Sequence, residues 1–583
     1  MSTLAFFALL AMPVMPVALG AQQDAPKAED KQSWKLTVGS NLVIVPVVVT
    51  NKQGDHVSGL RAEDFELKEE GAVQKIVGLD EITAETTKVE KAAASAASSS
   101  FGNTVVQRPK KLVIIALDQI NTPFENVNDS HRALIDFLSK SVDESSLVAL
   151  VAFQHNGVRI IHDFTNDPSV LADAIQRTKV TLTSRDTHAF DAQGDNSLAD
   201  VEAMQITAVL NGSNAPPGAS VAEVNAAAKN APSVMRAQMD ASHAAQDAMI
   251  TLEDFQQLAQ YFWGVPGRKS LIWASTGFSF STGASPTSNT RGTTVDLWQR
   301  TFRMLADANI SVYPVDVAGL LPGVNANVLQ SFNAATIKAG GPAGDISASR
   351  RQILDDPTGQ DPISDRHNTM RQMADMTGGQ TFYNSNDISG LLHQARLDAA
   401  QYYMLAYYTK NTGKSGWRKL SLKCQRGDTK IRYRSGFFFQ DKVNEAEPAR
   451  QADEMMALTS DLDFTGMPLT GSWGKIDAAG KERKVHFLLS IPAGVPAIDN
   501  EHQNHLNFDF RAVATDSTGK VAASVGQRLE TNLPAEALAQ IQAKGLDYAN
   551  SLTLLPGLYR IHFVVRDNLR GTLASVATSL KVD

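Results

Sequence analysis

The chain has 583 residues, 43% hydrophobic and 20% charged, which is ordinary globular composition but too long for one compact core. Its 54 basic and 62 acidic residues leave a formal net charge of −8, with no basic face to suit nucleic acid, so that class of partner is excluded. Cys424 is the single cysteine, which rules out an internal disulfide and a cysteine-built zinc site and leaves burial as the source of stability.

The first segment, 4–21, is apolar and ends in Ala18-Leu19-Gly20-Ala21 ahead of polar Gln22-Gln23-Asp24. It reads as a signal peptide over 1–21, which makes the protein exported, either periplasmic or secreted. Left uncleaved, the same segment would be an anchor and the chain's only membrane contact. No Lys or Arg precedes the apolar run.

Residues 34–82 read as an N-terminal β-unit, with β-branched Leu42 to Thr50 followed by a turn at Lys52-Gln53-Gly54-Asp55. An Ala/Ser/Lys-rich linker over 83–109 comes next. From 110 to 397 apolar runs at 112–117, 146–153, 158–164, 270–274 and 310–315 alternate with helical spacing at 128–140, 167–179, 247–263, 295–309 and 369–377. That alternation predicts an α/β fold with a doubly wound, mostly parallel sheet. The short turn His155-Asn156-Gly157 makes one edge strand antiparallel. Two Gly/Ala/Asn/Ser-rich insertions, 181–242 and 319–365, interrupt the domain, and 221–240 within the first reads as a helix. Strands return over 398–440 as a β-extension packed on the preceding domains. Runs at 485–491, 506–515, 519–528 and 557–566 predict a C-terminal β-sandwich over 465–583.

Several segments together resemble the von Willebrand factor type A-related proteins abundant in acidobacteria. They are Glu63-Asp64-Phe65-Glu66-Leu67-Lys68-Glu69-Glu70-Gly71, Leu117-Asp118-Gln119-Ile120-Asn121-Thr122-Pro123-Phe124 and Ala308-Asn309-Ile310-Ser311-Val312-Tyr313-Pro314-Val315-Asp316. Thr377-Gly378-Gly379-Gln380 and Tyr402-Tyr403-Met404-Leu405-Ala406-Tyr407-Tyr408 complete the set. The resemblance spans roughly 41–439 and implies a type A-like domain whose upper loop face holds a partner. In such domains an Asp-x-Ser-x-Ser loop and further oxygen ligands bind a divalent cation. Here Asp118 and Thr122 are kept, Ile120 stands where a hydroxyl is expected, and Ser275-Thr276-Gly277 replaces Thr-Asp-Gly. An altered Mg²⁺ or Ca²⁺ site would draw on Asp118, Asn121, Thr122 and Asp316, with Ser275 and Thr276 on the ligand face. The alternative is that Asp118 and Asn121 hold their own loop as Asx residues do.

Other patterns carry bland readings. Arg426-Gly427-Asp428 lies between two predicted strands, where Gly-Asp is ordinary turn chemistry. His502 and His505 have ligand spacing without a partner cluster, and His155, His162 and Asp163 lack a nucleophile elbow. The tyrosines at 402–408 and Phe437-Phe438-Phe439 suit strand packing. The expected function is therefore non-enzymatic: an adhesion-like binder of an unidentified protein or cell-surface ligand. The alternatives are an envelope scaffold, or a metal-dependent or serine hydrolase.

Overall fold

A computed structural model describes residues 42–82, 100–103, 112–123, 131–138, 147–178, 221–265, 267–278, 290–318, 362–383, 387, 389–390, 392–393, 401–410, 416–439, 447–500 and 503–583. The proposed signal peptide, most of the two insertions, most of the linker and His502 lie outside them. Among the described residues no helix is long and apolar enough to cross a membrane.

The described residues begin with strands β1 (Leu42–Thr50), β2 (Phe65–Glu69), β3 (Ala72–Gln74), β4 (Ile76–Ile82) and β5 (Ser100–Gly102). There follow β6 (Leu112–Asp118), a helical stretch at 131–138, β7 (Leu147–Gln154), β8 (Gly157–Thr165), α1 (Pro168–Arg177) and α2 (Val221–Phe262). Next come β9 (Lys269–Ser275), α3 (Thr290–Asp307), β10 (Ile310–Asp316) and α4 (Pro362–Thr377). After them lie β11 (Tyr402–Tyr408), β12 (Gly416–Cys424), β13 (Lys430–Tyr433), β14 (Gly436–Phe439) and α5 (Glu447–Thr459). The chain closes with β15 (Thr470–Ala479), β16 (Glu482–Ile491), β17 (His505–Thr515), β18 (Val521–Asn532), α6 (Ala535–Lys544), β19 (Leu546–Leu554), β20 (Gly557–Asp567) and β21 (Thr572–Val582).

These strands form five sheets. Four have four strands each, in the orders β13-β1-β11-β4, β14-β12-β2-β3, β19-β16-β15-β5 and β18-β17-β20-β21. Every strand pair within those four is antiparallel. The fifth, β10-β9-β6-β7-β8, is mixed: three parallel pairs and the antiparallel hairpin β7–β8. This corrects the expected fold class. The described residues are mostly β, in four antiparallel sheets and one mixed sheet, not a doubly wound, mostly parallel α/β fold of von Willebrand factor type A-like kind with β-units at its flanks. The physical reason lies in the connections. Glu70-Gly71, Gly480 and Gly519 sit in tight turns with left-handed backbone, which return a strand beside its predecessor, whereas parallel pairing needs a long crossover.

The first two sheets share a core and join segments far apart in sequence. Val43, Val45, Val47 and Val49 alternate along β1 and pack with Tyr403, Leu405 and Tyr407 of β11 against Phe65, Leu67, Leu420 and Leu422. Pro46 sits in an inner strand although it cannot donate to a ladder. It fits because β13 pairs only with Val47 to Thr50, and beyond that reach the Ile44 carbonyl accepts from Arg434 Nη2 at 2.8 Å. The last two sheets enclose a second core of Phe487, Phe508, Phe510, Ile561 and Phe563. Strand β5, within the stretch read as linker, joins that region by pairing with β15.

In the mixed sheet β6 is buried along its whole length. Ile114 and Ala116 face a core that includes Phe255, Phe262 and Phe302, while Val113, Ile115 and Leu117 face Leu134, Phe137 and Leu171. Helix α2 runs unbroken across the stretch expected as two helices. Asp453 of α5, 2% exposed, ties the layers together by binding Arg566 of β20 at 3.2 Å and Arg300 of α3. Breaking such a buried pair from one side costs several kcal/mol, on the order of 3–5, because the remaining charge stays buried.

Candidate functional site: a strand-end cluster and a neighbouring cleft

Parallel register fixes the first group. Asp316 of β10 lies opposite Ser275 of β9, and Leu117 of β6 opposite Ala274, so Asp118, Ser275 and Asp316 form a row across three adjacent strand ends. All six residues singled out in the sequence fall here, and all are buried: Asp118 3%, Asn121 4%, Thr122 3%, Ser275 0%, Thr276 3% and Asp316 3% exposed.

Their polar atoms are turned on one another. Asp118 Oδ1 accepts from the backbone N–H groups of Ile120 and Asn121, both at 2.9 Å. Its Oδ2 accepts from Asn121 Nδ2 at 2.8 Å, Trp273 Nε1 at 3.2 Å and Ser275 Oγ at 2.6 Å. This is the Asx arrangement that holds a loop. Asn121 Nδ2 also donates to Thr251 Oγ1 at 2.8 Å, and Thr276 Oγ1 donates to the Asn121 carbonyl at 2.7 Å. Burial pushes the Asp118 carboxyl up, and the bonds from Ser275, Asn121 and Ile120 pull it back. Asp254 of α2 is raised well above its ordinary value, first by burial and then by the charge of Asp118.

A cation does not fit this arrangement. A carboxylate offers about four lone-pair sites, and Asp118 already receives five donors from its own chain. Asn121 presents its NH₂ to the carboxylate. Asp316 is two strands away, about 9–10 Å in a sheet, and is otherwise engaged: Oδ1 accepts from Ala318 N at 2.9 Å and Oδ2 pairs with His367 Nε2 at 2.8 Å. Thr122 Oγ1 is buried with no partner among the described residues. As placed, Ser275 and Thr276 are not on a contact face.

The Asp316–His367 pair leads to the second group. His367, on α4, stacks on Tyr383 with ring centroids 4.6 Å apart and planes at 24°. The Tyr383 hydroxyl accepts from Arg371 Nη2 at 3.3 Å, and the same guanidinium lies over the Tyr383 ring at 5.7 Å. Tyr383 and Arg371 line a cleft of about 410 Å³ between the end of α4 with its following loop and strand β13. Asp375, Gln380, Thr381, Arg432 and Tyr433 complete the polar part of the lining. Arg432 Nη1 donates to Gln380 Oε1 at 2.6 Å across the cleft. Gly379 fixes the floor: a Cβ there would stand 1.9 Å from the Val312 carbonyl, so the loop packs backbone to backbone on β10.

Sequence reasoning missed Trp273, Thr251, Asp254, His367, Arg371 and Tyr383 as site residues. One signal was available, since a tryptophan inside a fully apolar strand needs a partner for its indole N–H. The pairing of α4 with β13 had none, because those elements lie in segments read as separate units. The other motifs have local roles. Arg426-Gly427-Asp428 forms the turn between β12 and β13, closed by Thr429 Oγ1 to the Arg426 carbonyl at 2.9 Å, with Asp428 at φ 61. His155 pairs with Asp247 at 3.1 Å, and Tyr403 and Tyr407 are core residues.

No family model matches the chain, and no curated protein matches it. Among solved structures it is similar over short stretches to a beta-glucuronidase from glycoside hydrolase family 2, at 10% identity and TM-score 0.14, covering 19% of this chain and 11% of that one. A glycosyl hydrolase family 2 member from Bacteroides cellulosilyticus DSM 14838 aligns at 8% identity and TM-score 0.15, covering 32% and 20%. A Bacteroides uniformis beta-glucuronidase aligns at 10% and 0.14, covering 31% and 19%. The chain thus spans a fifth or less of those structures, and overlaps this partial carry no argument about its function.

Proposed function

We propose that the chain is an exported, non-catalytic binding protein that takes a protein partner in the cleft between α4 and β13. The observation that supports this is the contrast in how polar groups are used. At the strand ends the hydroxyls of Ser275 and Thr276 are committed to Asp118 and to the Asn121 carbonyl, which leaves neither poised as a nucleophile. In the cleft, by contrast, guanidinium and phenol groups line an open concavity of about 410 Å³, within the size range of recognition pockets.

Site-specific photocrosslinking tests the reading. A photoreactive phenylalanine analogue at Thr381 should give a discrete adduct with a surface or secreted protein of the producing cell, suppressed by excess unmodified chain. The same probe at Leu558, exposed on the C-terminal sheets, should give none. Adducts at Leu558 without any at Thr381, or none at either, would overturn the assignment.

A further inference from the structure

We infer that the α4–β13 cleft recognises an extended acidic peptide segment, seating a Glu or Asp carboxylate between Arg371 and Arg432. The inference rests on the reading of this cleft as the contact surface and names the chemistry of the partner.

Charge is the first reason. In a chain of net charge −8, the cleft brings two guanidinium groups from opposite walls against one lining carboxyl, Asp375. Burial pushes that carboxyl up and Arg371 pulls it back, and two guanidinium groups against one carboxylate leave the lining with an excess of positive charge. The hydrogen bonds of Arg371 go to neutral groups, Asn368 Oδ1 at 2.8 Å and the Tyr383 hydroxyl at 3.3 Å. A guanidinium has five N–H donors, so these two bonds orient the fork and leave capacity for a carboxylate.

Preorganisation is the second. Arg371 is held over Tyr383, Tyr383 is stacked on His367, and His367 is fixed by Asp316, so one wall is braced from the end of β10. A wall set before binding reduces the ordering cost of capture. Asp316 is thus a positioning residue for the cleft.

The third reason favours a peptide over a free anion. Strand β13 is an edge strand of its sheet, and Ile431, Arg432 and Tyr433 line the cleft from it. The loop at Gly378 abuts its far end, where a Cβ would meet Arg434 N at 2.8 Å. An edge strand presents main-chain groups to an incoming extended chain, and neighbouring pockets then select alternate side chains. The Tyr383 ring supplies an apolar part of such a groove, while the Ile431 and Tyr433 side chains pack against the core behind β13.

Fluorescence anisotropy with the full chain tests this, using a labelled Val-Glu-Val-Glu-Val peptide, its Gln counterpart and its Lys counterpart. The Glu peptide should bind about tenfold or more tighter than the Gln peptide, the scale of one good charge-assisted contact, and should weaken as salt rises. Arg371→Ala should bring the Glu peptide to the Gln level with an unchanged thermal midpoint. Arg371→Glu should reverse the preference toward the Lys peptide, a gain that misfolding cannot produce. Equal binding of the Glu and Gln peptides, or no change in either variant, would overturn the inference. So would displacement by inorganic phosphate at the peptide's own concentration, which would assign the site to a free anion. If crosslinking at Thr381 persists while Glu and Gln peptides bind alike, the contact surface stands and the acidic preference falls.

Discussion

The row of strand ends and the cleft beside it are joined through Asp316 and His367, yet they use polar side chains in opposite ways. At the strand ends, Asp118 collects five donors at no more than 3.2 Å, and it and the other five residues singled out there are buried. In the cleft, Arg371 is exposed and makes two bonds to neutral partners. The difference teaches that a strand-end Asp followed by Asn and Thr can be a folding device: it satisfies the backbone of a sharp turn and the indole of Trp273. The charge available to a partner lies one layer away.

The largest expected effect tests the first half of that contrast. Asp118→Ala strands two backbone N–H groups, the Trp273 indole and the Ser275 hydroxyl in a buried site, and should cost on the order of 3–5 kcal/mol in chemical denaturation. Asp118→Asn, which keeps the acceptor oxygen, should cost less. Added Mg²⁺ or Ca²⁺ should leave the midpoint of the parent unmoved; a cation-dependent rise absent from Asp118→Ala would show that the bonds drawn here rearrange around metal.

Gly379→Ala sharpens the boundary between the regions, because its Cβ would overlap the Val312 carbonyl at 1.9 Å. Overpacking against backbone should cost about 3 kcal/mol and, by lifting the cleft floor off β10, should also weaken partner capture. A stable variant with intact capture would show that the floor is not fixed as described.

A smaller effect comes from Lys269, which is 1% exposed, donates to the Phe262 and Val265 carbonyls at 3.2 and 2.5 Å, and is pushed down by burial to about 7. Unfolded, the same lysine holds its proton until about 10.5. Between those values the unfolded chain binds more protons than the folded one, so stability should rise with pH across that window. The slope should disappear in Lys269→Met, read as the difference between the two proteins' unfolding midpoints from pH 7 to pH 10.

Much of the local structure was legible. Continuous apolar runs mark β6, β9 and β10 because strands buried on both faces need no polar alternation. The left-handed turn at Gly157 marks the β7–β8 hairpin. Pairing was not legible. Strand β1 finds its neighbour in β11, and nothing at Leu42 to Thr50 names Tyr403 to Tyr408. The runs that give β15, β19 and β21 went unread because Gly471, Gly474, Asn550 and Ser575 dilute their apolar signal. At the site, the Asp118-Asn121-Thr122 spacing was visible, but whether those oxygens face a cation or their own loop depends on Trp273 and Ser275, about 155 residues away.

The most direct test of the contrast is a side-by-side measurement of unfolding free energy and Thr381 crosslinking in Asp118→Ala and Arg371→Ala. The account predicts that Asp118→Ala loses several kcal/mol, while Arg371→Ala, an exposed residue, loses under about 1 kcal/mol and yet loses the adduct. An Asp118→Ala protein of parental stability, or an Arg371→Ala protein that keeps the adduct, would contradict it.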